Sequence, residues 1–447
     1  MGRKIVVAGA GHGGLSAAFT LAKNGYDVTV YEKCPENDLG HDWGDFFDMK
    51  AFAAAGMPLP SKGVVDRIPI AYHAPDESIP ALYQPEQTGF EMFMERKDIL
   101  KYLIKHCKSA GVKFVFETEI KEAIILGNRV CGIRTDKEDI YSDLVIDASG
   151  VGSAVRLSLP ESFKTDKEFS NPYEVLYAYR GMYKRNDVET DDPQYNVFFD
   201  YDDEGNISMK WIIIYDDHCD ILFGKVASYG FDEVKKEIEN FQRLYPQLND
   251  ELISGGQVVR IPIRQSPGIF VGNGYAGVGD TAGMTMPVMG SGIAASLRAG
   301  TLLAKTVMAD VDDAFSAETL WKYQVAYMKN IGWGFASIAI VKSMIPKLTS
   351  EDLNFLFGSG VLTNDDMVFS AEDGSVGALL SGVRLSSLLD RAKKAKSNPA
   401  LIKKLSGIAV NLVKLKSLQS SFPSKYNRQS VEKWAEKYNE FFLSLYK

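Results

Sequence analysis

The six residues Gly9-Ala10-Gly11-His12-Gly13-Gly14 constrain this chain more than any other segment, because of what flanks them. Ile5-Val6-Val7-Ala8 before them is apolar and has the length of a buried strand. Leu15 to Asn24 after them follows helical spacing and stops at Gly25, where a left-handed C′ residue belongs. Asp27 to Glu32, reading DVTVYE, alternates and is rich in β-branched residues, so the N-terminal stretch predicts strand, glycine turn, helix and strand, a βαβ unit. Gly9 permits the tight turn, and Gly11 lets backbone N–H groups approach a pyrophosphate at the positive helix end. Gly14, next to Gly13, allows the helix to pack closely on the strand. Glu32, with Lys33 beside it, stands where the ribose hydroxyls of a dinucleotide would donate hydrogen bonds. The motif specifies only the backbone position of His12, whose side chain is expected to point to solvent.

A second strand, turn and helix with an acid at the turn comes near residue 280, in Gly277-Val278-Gly279-Asp280-Thr281-Ala282-Gly283, followed by Pro287 and Gly290-Ser291-Gly292-Ile293. Two such turns fit one extended ligand held at both ends. Asp280 suits ribityl hydroxyls, and a helix starting near Gly292 would aim its positive end at the N1–C2=O edge of a flavin, where reduction gathers negative charge. Gly272-Asn273-Gly274 and Gly358-Ser359-Gly360 lack the flanking strand and helix that a second nucleotide site requires.

With 447 residues, 45% of them hydrophobic, the chain has material for two or three domains and a substantial core. Arg96–Gly111 and Phe231–Leu244 read as helices, Cys34–Leu59 as irregular, and Arg67–Phe93 as strands and turns. The β-rich runs between Tyr173 and Ala227 read as a separate antiparallel sheet, and from Ala314 onward the pattern is almost entirely helical. Cys34, Cys107, Cys131 and Cys219 form no C-x-x-C pair, so no metal site or disulfide framework is expected and a reducing, cytoplasmic setting is. The net charge of −8 is uneven: residues 391–447 carry 13 Lys and Arg against 3 Asp and Glu, or +10, which leaves −18 on the rest. An acidic body is a poor partner for nucleic acid, whereas the basic tail suits an anionic surface. In that tail Leu401, Leu405, Ile408, Leu412 and Leu415 lie at helical spacing with lysines elsewhere. The stripe either packs on the body or lies in a membrane interface. Gly332–Leu348 is apolar but broken by Lys342, Pro346 and Lys347, and too short to span a bilayer.

Four segments occur in this order: the N-terminal fingerprint, Met94-Glu95-Arg96 at a helix entry, Asp147-Ala148-Ser149-Gly150 with Ser153 and Arg156, and the GDTAG…PVMGSGI stretch. Together they resemble the FAD-dependent group that contains geranylgeranyl reductases and para-hydroxybenzoate-hydroxylase-type monooxygenases. The resemblance spans residues 3–305. It is closer to the reductase branch, which Lys210-Trp211-Ile212-Ile213-Ile214-Tyr215, the loop Asp216–Asp220, Ile221-Leu222-Phe223-Gly224 and Arg260-Ile261-Pro262 resemble. It implies an α/β fold in which a Rossmann-type FAD-binding domain (1–67, 94–165 and 265–310) is interrupted by an antiparallel β-sheet substrate domain of α+β type (68–93 and 166–264). A helical region, 311–447, follows. The cofactor contacts implied are Gly9, Gly11, His12, Gly13, Gly14, Glu32, Lys33, Arg96, Asp147, Gly150, Gly279, Asp280, Gly290, Gly292 and Ile293, with Arg96 neutralising an FAD phosphate. Where reductases of this branch carry a cysteine–glycine pair, this chain reads His41-Asp42-Trp43-Gly44-Asp45, so Trp43 stands in place of the thiol. Asp45 is the proton donor expected by position, with its pKa raised if buried, and Trp211 and Tyr215 are expected in the substrate wall.

The activity implied is reduction of carbon–carbon double bonds in an isoprenoid or other lipid. NAD(P)H or a redox protein would dock transiently as electron donor near Asp147–Arg156. Two other readings stand beside it: a monooxygenase that hydroxylates an aromatic or polyprenyl substrate, and a flavin-bound redox sensor without turnover. A hydrophobic small-molecule or lipid substrate suits a cytoplasmic protein that meets the inner face of a membrane through its basic tail.

Overall fold

The computed structural model describes residues 3–446 apart from 67, 84–89, 167–171, 190–194, 203, 204, 227, 289, 313, 368–389 and 392. Arg67, Ala227, Met289 of the PVMGSGI stretch and part of the Arg67–Phe93 segment therefore lie outside the described residues.

The apolar run at the N-terminus is the strand Lys4–Ala8, and Ile5 to Ala8 are fully buried because the strand lies inside a six-stranded sheet covered on both faces. It pairs in parallel with Asp27–Tyr31 on one side and Leu144–Asp147 on the other, and the latter pairs in parallel with Tyr275–Gly277. Ala8 lies opposite both Tyr31 and Asp147, and Asp147 opposite Gly277. The strands therefore end together, and the Gly9 loop, Glu32, the Asp147 loop and the Gly279 turn gather at one edge of the sheet, the edge where open parallel sheets bind ligands. The helices His12–Lys23 and Ile293–Met308 cross at glycine: a Cβ on Gly300 would stand 2.1 Å from the Gly13 carbonyl oxygen. Within Cys34–Leu59, read as irregular, lie the strand Gly44–Phe47 and the helix Lys50–Ala54. The strand pairs with Phe90–Glu95, far along the chain, and is too short to show a period of its own.

A second sheet has seven strands, in the spatial order Leu248–Pro262, Val175–Arg185, His218–Lys225, Ile207–Ile214, Tyr195–Tyr201, Ile70–His73 and Leu82–Tyr83. All neighbours are antiparallel except Tyr195–Tyr201 with Ile70–His73, which run parallel, so the sheet is mixed. The edge strand Leu248–Pro262 was not legible. Its alternation is interrupted by Gly255 and Gly256, both left-handed at φ +81° and +76°, in a bulge.

After an earlier visit by Ile70–His73 and Leu82–Tyr83, the chain makes its long run through this sheet from Val175 to Pro262, two residues that lie opposite each other. Lys342, from the helix Trp333–Lys342, clasps both ends of that run: its Nζ donates to the carbonyls of Tyr173 and Ile263, each at 2.5 Å. The amine is buried and lies over the ring of Tyr446, which stacks on Tyr173. Burial lowers its pKa to about 7, against the opposing pull of Glu174. Beside it the buried Arg264 pairs with Asp166 at 2.9 Å and Glu174 at 3.4 Å, and Asn439 donates to the other oxygen of Asp166.

The helices Pro399–Ser420 and Arg428–Ser444 fold back on the body. Leu401 and Leu415 are buried, Ile408 and Leu412 pack on the main core, and Leu405 joins Leu353 and Leu356. The stripe thus faces the protein and is not available for shallow insertion into lipid. The opposite face exposes Val410 (55%) and Val413 (71%) among Lys403, Lys414 and Lys416. Among the described residues no single helix is long and apolar enough to cross a membrane.

Candidate active site

A cavity of about 300 Å³ opens between the two sheets. One wall comes from the loop edge of the six-stranded sheet and includes His12, Arg96, Asp280, Gly290, Gly292 and Ile293. The other comes from the seven-stranded sheet.

The first wall is built to receive an anionic, hydroxyl-rich ligand. The helix His12–Lys23 begins at Gly11 with no side-chain cap and no acid in its first turn, so its leading N–H groups keep their donor capacity. Gly9, at φ +85°, has no room for a side chain: a Cβ would stand 2.7 Å from Ser149 Cα. Glu32 accepts from the backbone N–H groups of Ala10 (2.9 Å) and Cys34 (3.0 Å), which fixes the carboxylate against the glycine loop. A carboxylate has about four lone-pair sites, so acceptor capacity remains for ligand hydroxyls. Lys33 is exposed. At the other end Asp280, in the turn Gly279–Ala282, accepts from Thr285 Oγ1 at 2.8 Å. Burial raises its pKa, which the Thr285 bond and Arg96 oppose. The helix Ile293–Met308 also starts uncapped, at Gly292, on the cavity wall. These residues fit FAD: Glu32 for the ribose, the Gly11 helix end for the pyrophosphate, Asp280 for the ribityl chain and the Gly292 helix end for the flavin.

Three expectations change. His12 does not reach solvent: it lines the cavity, its Nε2 is buried with no hydrogen-bond partner, and burial, then Arg96, lowers its pKa to about 3. A neutral imidazole with an unmet nitrogen beside the loop is a polar contact waiting for the ligand. Asp147 is fully buried and accepts from Ser149 Oγ (2.6 Å), Ser153 Oγ (2.5 Å) and Tyr275 O–H (3.3 Å), so its carboxylate holds the loop and is not part of the cavity lining. Gly150 N–H donates to Thr281 Oγ1 at 2.9 Å, tying that loop to the second turn. The raised pKa expected of Asp45 is not found. Burial pushes its pKa up, but Arg96 and Arg180 outweigh burial and hold the carboxyl below the usual range, so it is ionised. Its partner in this is Arg96, whose Nε donates to it at 2.8 Å.

Of the predicted wall residues, Trp211 lines the cavity, and so does Trp43, stacked on His41 with ring centroids 4.6 Å apart. Tyr215 is not part of the lining; its ring stacks on His218 at 4.4 Å and packs near Phe93. Sequence reasoning missed Arg180, Tyr72 and Tyr195, which the structure brings into the cavity. Arg180 had a readable signal, a lone cation inside the apolar strand reading VLYAYRGMY.

Residues 7–78 match the model of an NAD(P)-binding Rossmann-like domain. A digeranylgeranylglycerophospholipid reductase of Sulfolobus acidocaldarius is 23% identical over 94% of this chain and 93% of its own. A flavin-dependent monooxygenase of Phoma sp is 31% identical, over 34% of this chain and 39% of its own. The crystal structure of a geranylgeranyl bacteriochlorophyll reductase-like protein of Thermoplasma acidophilum superposes with a TM-score of 0.70 at 20% identity, covering 91% of this chain and 99% of that one. The ordered fingerprint, the uncapped helix ends at the cavity and this likeness over more than nine-tenths of the chain mark an FAD-dependent oxidoreductase similar to the geranylgeranyl reductases and, over about a third of the chain, to a flavin-dependent monooxygenase.

Proposed function

We propose that the protein reduces carbon–carbon double bonds in an isoprenoid or similar lipid chain. One observation carries this: the wall opposite the cofactor residues is apolar and aromatic, with Tyr72, Leu176, Met209, Trp211, Ile213 and Leu222. Such a surface gains about 25 cal/mol for each Å² of apolar substrate it takes from water. FAD, when bound and reduced, supplies a hydride. The chain's own residues align the alkene, exclude water and deliver a proton. With Asp45 ionised, the Tyr72 and Tyr195 hydroxyls are the cavity groups placed for that delivery; burial pushes both phenols up, so both keep their protons at neutral pH. The functional division is a cofactor unit (1–67, 94–165, 265–310), a substrate unit (68–93, 166–264) and the helical region that clasps them. NAD(P)H or a redox protein serves as a transient electron donor.

Wild-type protein is expected to purify yellow. After anaerobic photoreduction it should be reoxidised by unsaturated isoprenoid lipids and not by their saturated counterparts. A colourless protein that takes up no FAD, or a reduced enzyme indifferent to such lipids, overturns the reading. Oxygen uptake coupled to substrate-dependent NAD(P)H oxidation would favour the monooxygenase reading, which the Phoma relative supports.

Membrane contact, in this proposal, is electrostatic and led by the outer face of Pro399–Ser420. Each Lys near an anionic surface contributes roughly 1 kcal/mol, with Val410 and Val413 between them. Co-sedimentation with anionic vesicles should be strong at low salt and lost when Lys403, Lys414 and Lys416 become Glu. Wild-type protein that stays in the supernatant at low salt removes the membrane from the proposal.

A further inference from the structure

Each cavity tryptophan lies under a guanidinium: Arg96 is 5.9 Å from the Trp43 ring centroid and Arg180 is 5.5 Å from that of Trp211. Asp45 stands between the two cations. Arg96 Nε donates to its Oδ2 at 2.8 Å, and Arg180 Nη1 lies 3.6 Å from its Oδ1. Arg180 is itself forked on Asp220, Nε to Oδ1 at 2.9 Å and Nη2 to Oδ2 at 2.5 Å, on neighbouring strands of the second sheet. Arg180 is 5% exposed and Asp220 0%. Positive and negative groups thus alternate from Arg96 on the cofactor side to Asp220 inside the substrate sheet.

We propose that Arg180 is a positioning residue for the reaction, one that sets the plane of the Trp211 indole in the cavity wall and, through Asp45, keeps that wall in register with Arg96. The inference rests on the reading above, that the cavity takes an apolar chain beside FAD. Burying an ion pair costs desolvation that its attraction barely offsets, so a pair of this kind is poorly explained by stability and better by what it orients. What it orients is visible. Trp211 Nε1 is buried with no hydrogen-bond partner, so no polar contact fixes the ring. The guanidinium on its face and the Tyr195 ring at its edge, 6.2 Å between centroids and 71° between planes, fix it instead. Lysine in place of Arg180 keeps the charge but neither forks on Asp220 nor stacks on an indole.

The test uses the FAD-loaded enzyme and the variants Arg180→Lys, Trp211→Phe and their combination. Arg180→Lys is expected to keep FAD affinity within about twofold and KM within about threefold while kcat falls at least about tenfold, since displacing a wall by an ångström misaligns the reacting atoms. It should also remove the near-ultraviolet circular dichroism band that Trp211→Phe removes. In the Trp211→Phe background it should cost little more, because Arg180 acts through that ring. Losses that multiply in the double variant, a retained Trp211 band, or wild-type kcat in Arg180→Lys each overturn the proposal. If Arg180→Lys fails to fold, Asp220→Asn, which weakens the fork and keeps its shape, carries the same comparisons with the same expected and contrary results. Failure of the functional reading is separate: it shows in wild-type protein that binds no FAD or ignores unsaturated lipids, whereas the Trp211 band reports on Arg180 in either case.

Discussion

A Gly9→Ala variant is expected to purify colourless, its FAD affinity about a hundredfold below wild type. Gly9 is left-handed at φ +85°, a conformation that costs an L-residue roughly 1–2 kcal/mol. The added Cβ also meets backbone, Ser149 Cα at 2.7 Å and the Ala148 carbonyl oxygen at 2.8 Å, which no rotamer change relieves. Either the glycine turn or the Ser149 loop has to move, and the Gly11 helix end moves with the turn. Losing about 3 kcal/mol of cofactor binding in this way is the hundredfold. Gly25→Ala is the control, equally left-handed at φ +88° but with open space around the Cβ. It should stay yellow and lose only about 1 kcal/mol of stability. Flavin absorbance per protein and titration of the apoprotein decide; unchanged affinity in Gly9→Ala would show that the turn is not the pyrophosphate site.

The largest effect on stability is expected from Arg264→Met, roughly 3–5 kcal/mol, because it strands two acids whose partner has gone. The Glu174 side chain is 5% exposed and that of Asp166 25%, and both face Arg264 beside the ends of the Val175–Pro262 run through the second sheet. Burial at Glu174 leaves water little access to compensate. Denaturant titration should show a lower midpoint with the slope unchanged, and Arg264→Lys should recover part of it. A loss under about 1 kcal/mol would mean that the network contributes little to the junction.

What could be read in advance followed from locality. Gly9 to Glu32 declared strand, turn, helix and acid within one stretch, and the turn at Asp280 did so again, so the elements that carry the first wall were legible. Asp45 shows where that ended. Its protonation depends on Arg96, at the start of the helix Arg96–Ser109, and on Arg180, in the second sheet, which together reverse the effect of burial. His12 failed for the same reason: whether a helix-start side chain meets solvent or a cavity depends on which element covers it. The stripe from Leu401 to Leu415 was a true helical face, but periodicity shows that a face is apolar, not what lies against it. The strand Leu248–Pro262 was hidden by its own bulge at Gly255 and Gly256.

The Lys342 clasp separates two things that sequence comparison tends to join. The fingerprint that marks the cofactor fold ends by residue 305, while the amine that holds both ends of the Val175–Pro262 run comes later, 79 residues beyond Ile263 and 169 beyond Tyr173. Two chains that share every fingerprint residue, and every side chain on the cavity wall, can therefore differ in how wide the cleft between those walls stands. Divergence in the length or branching of the substrate accepted then needs no change inside the cavity: a substitution in this distant helix suffices, and an alignment of the pocket alone would not show it.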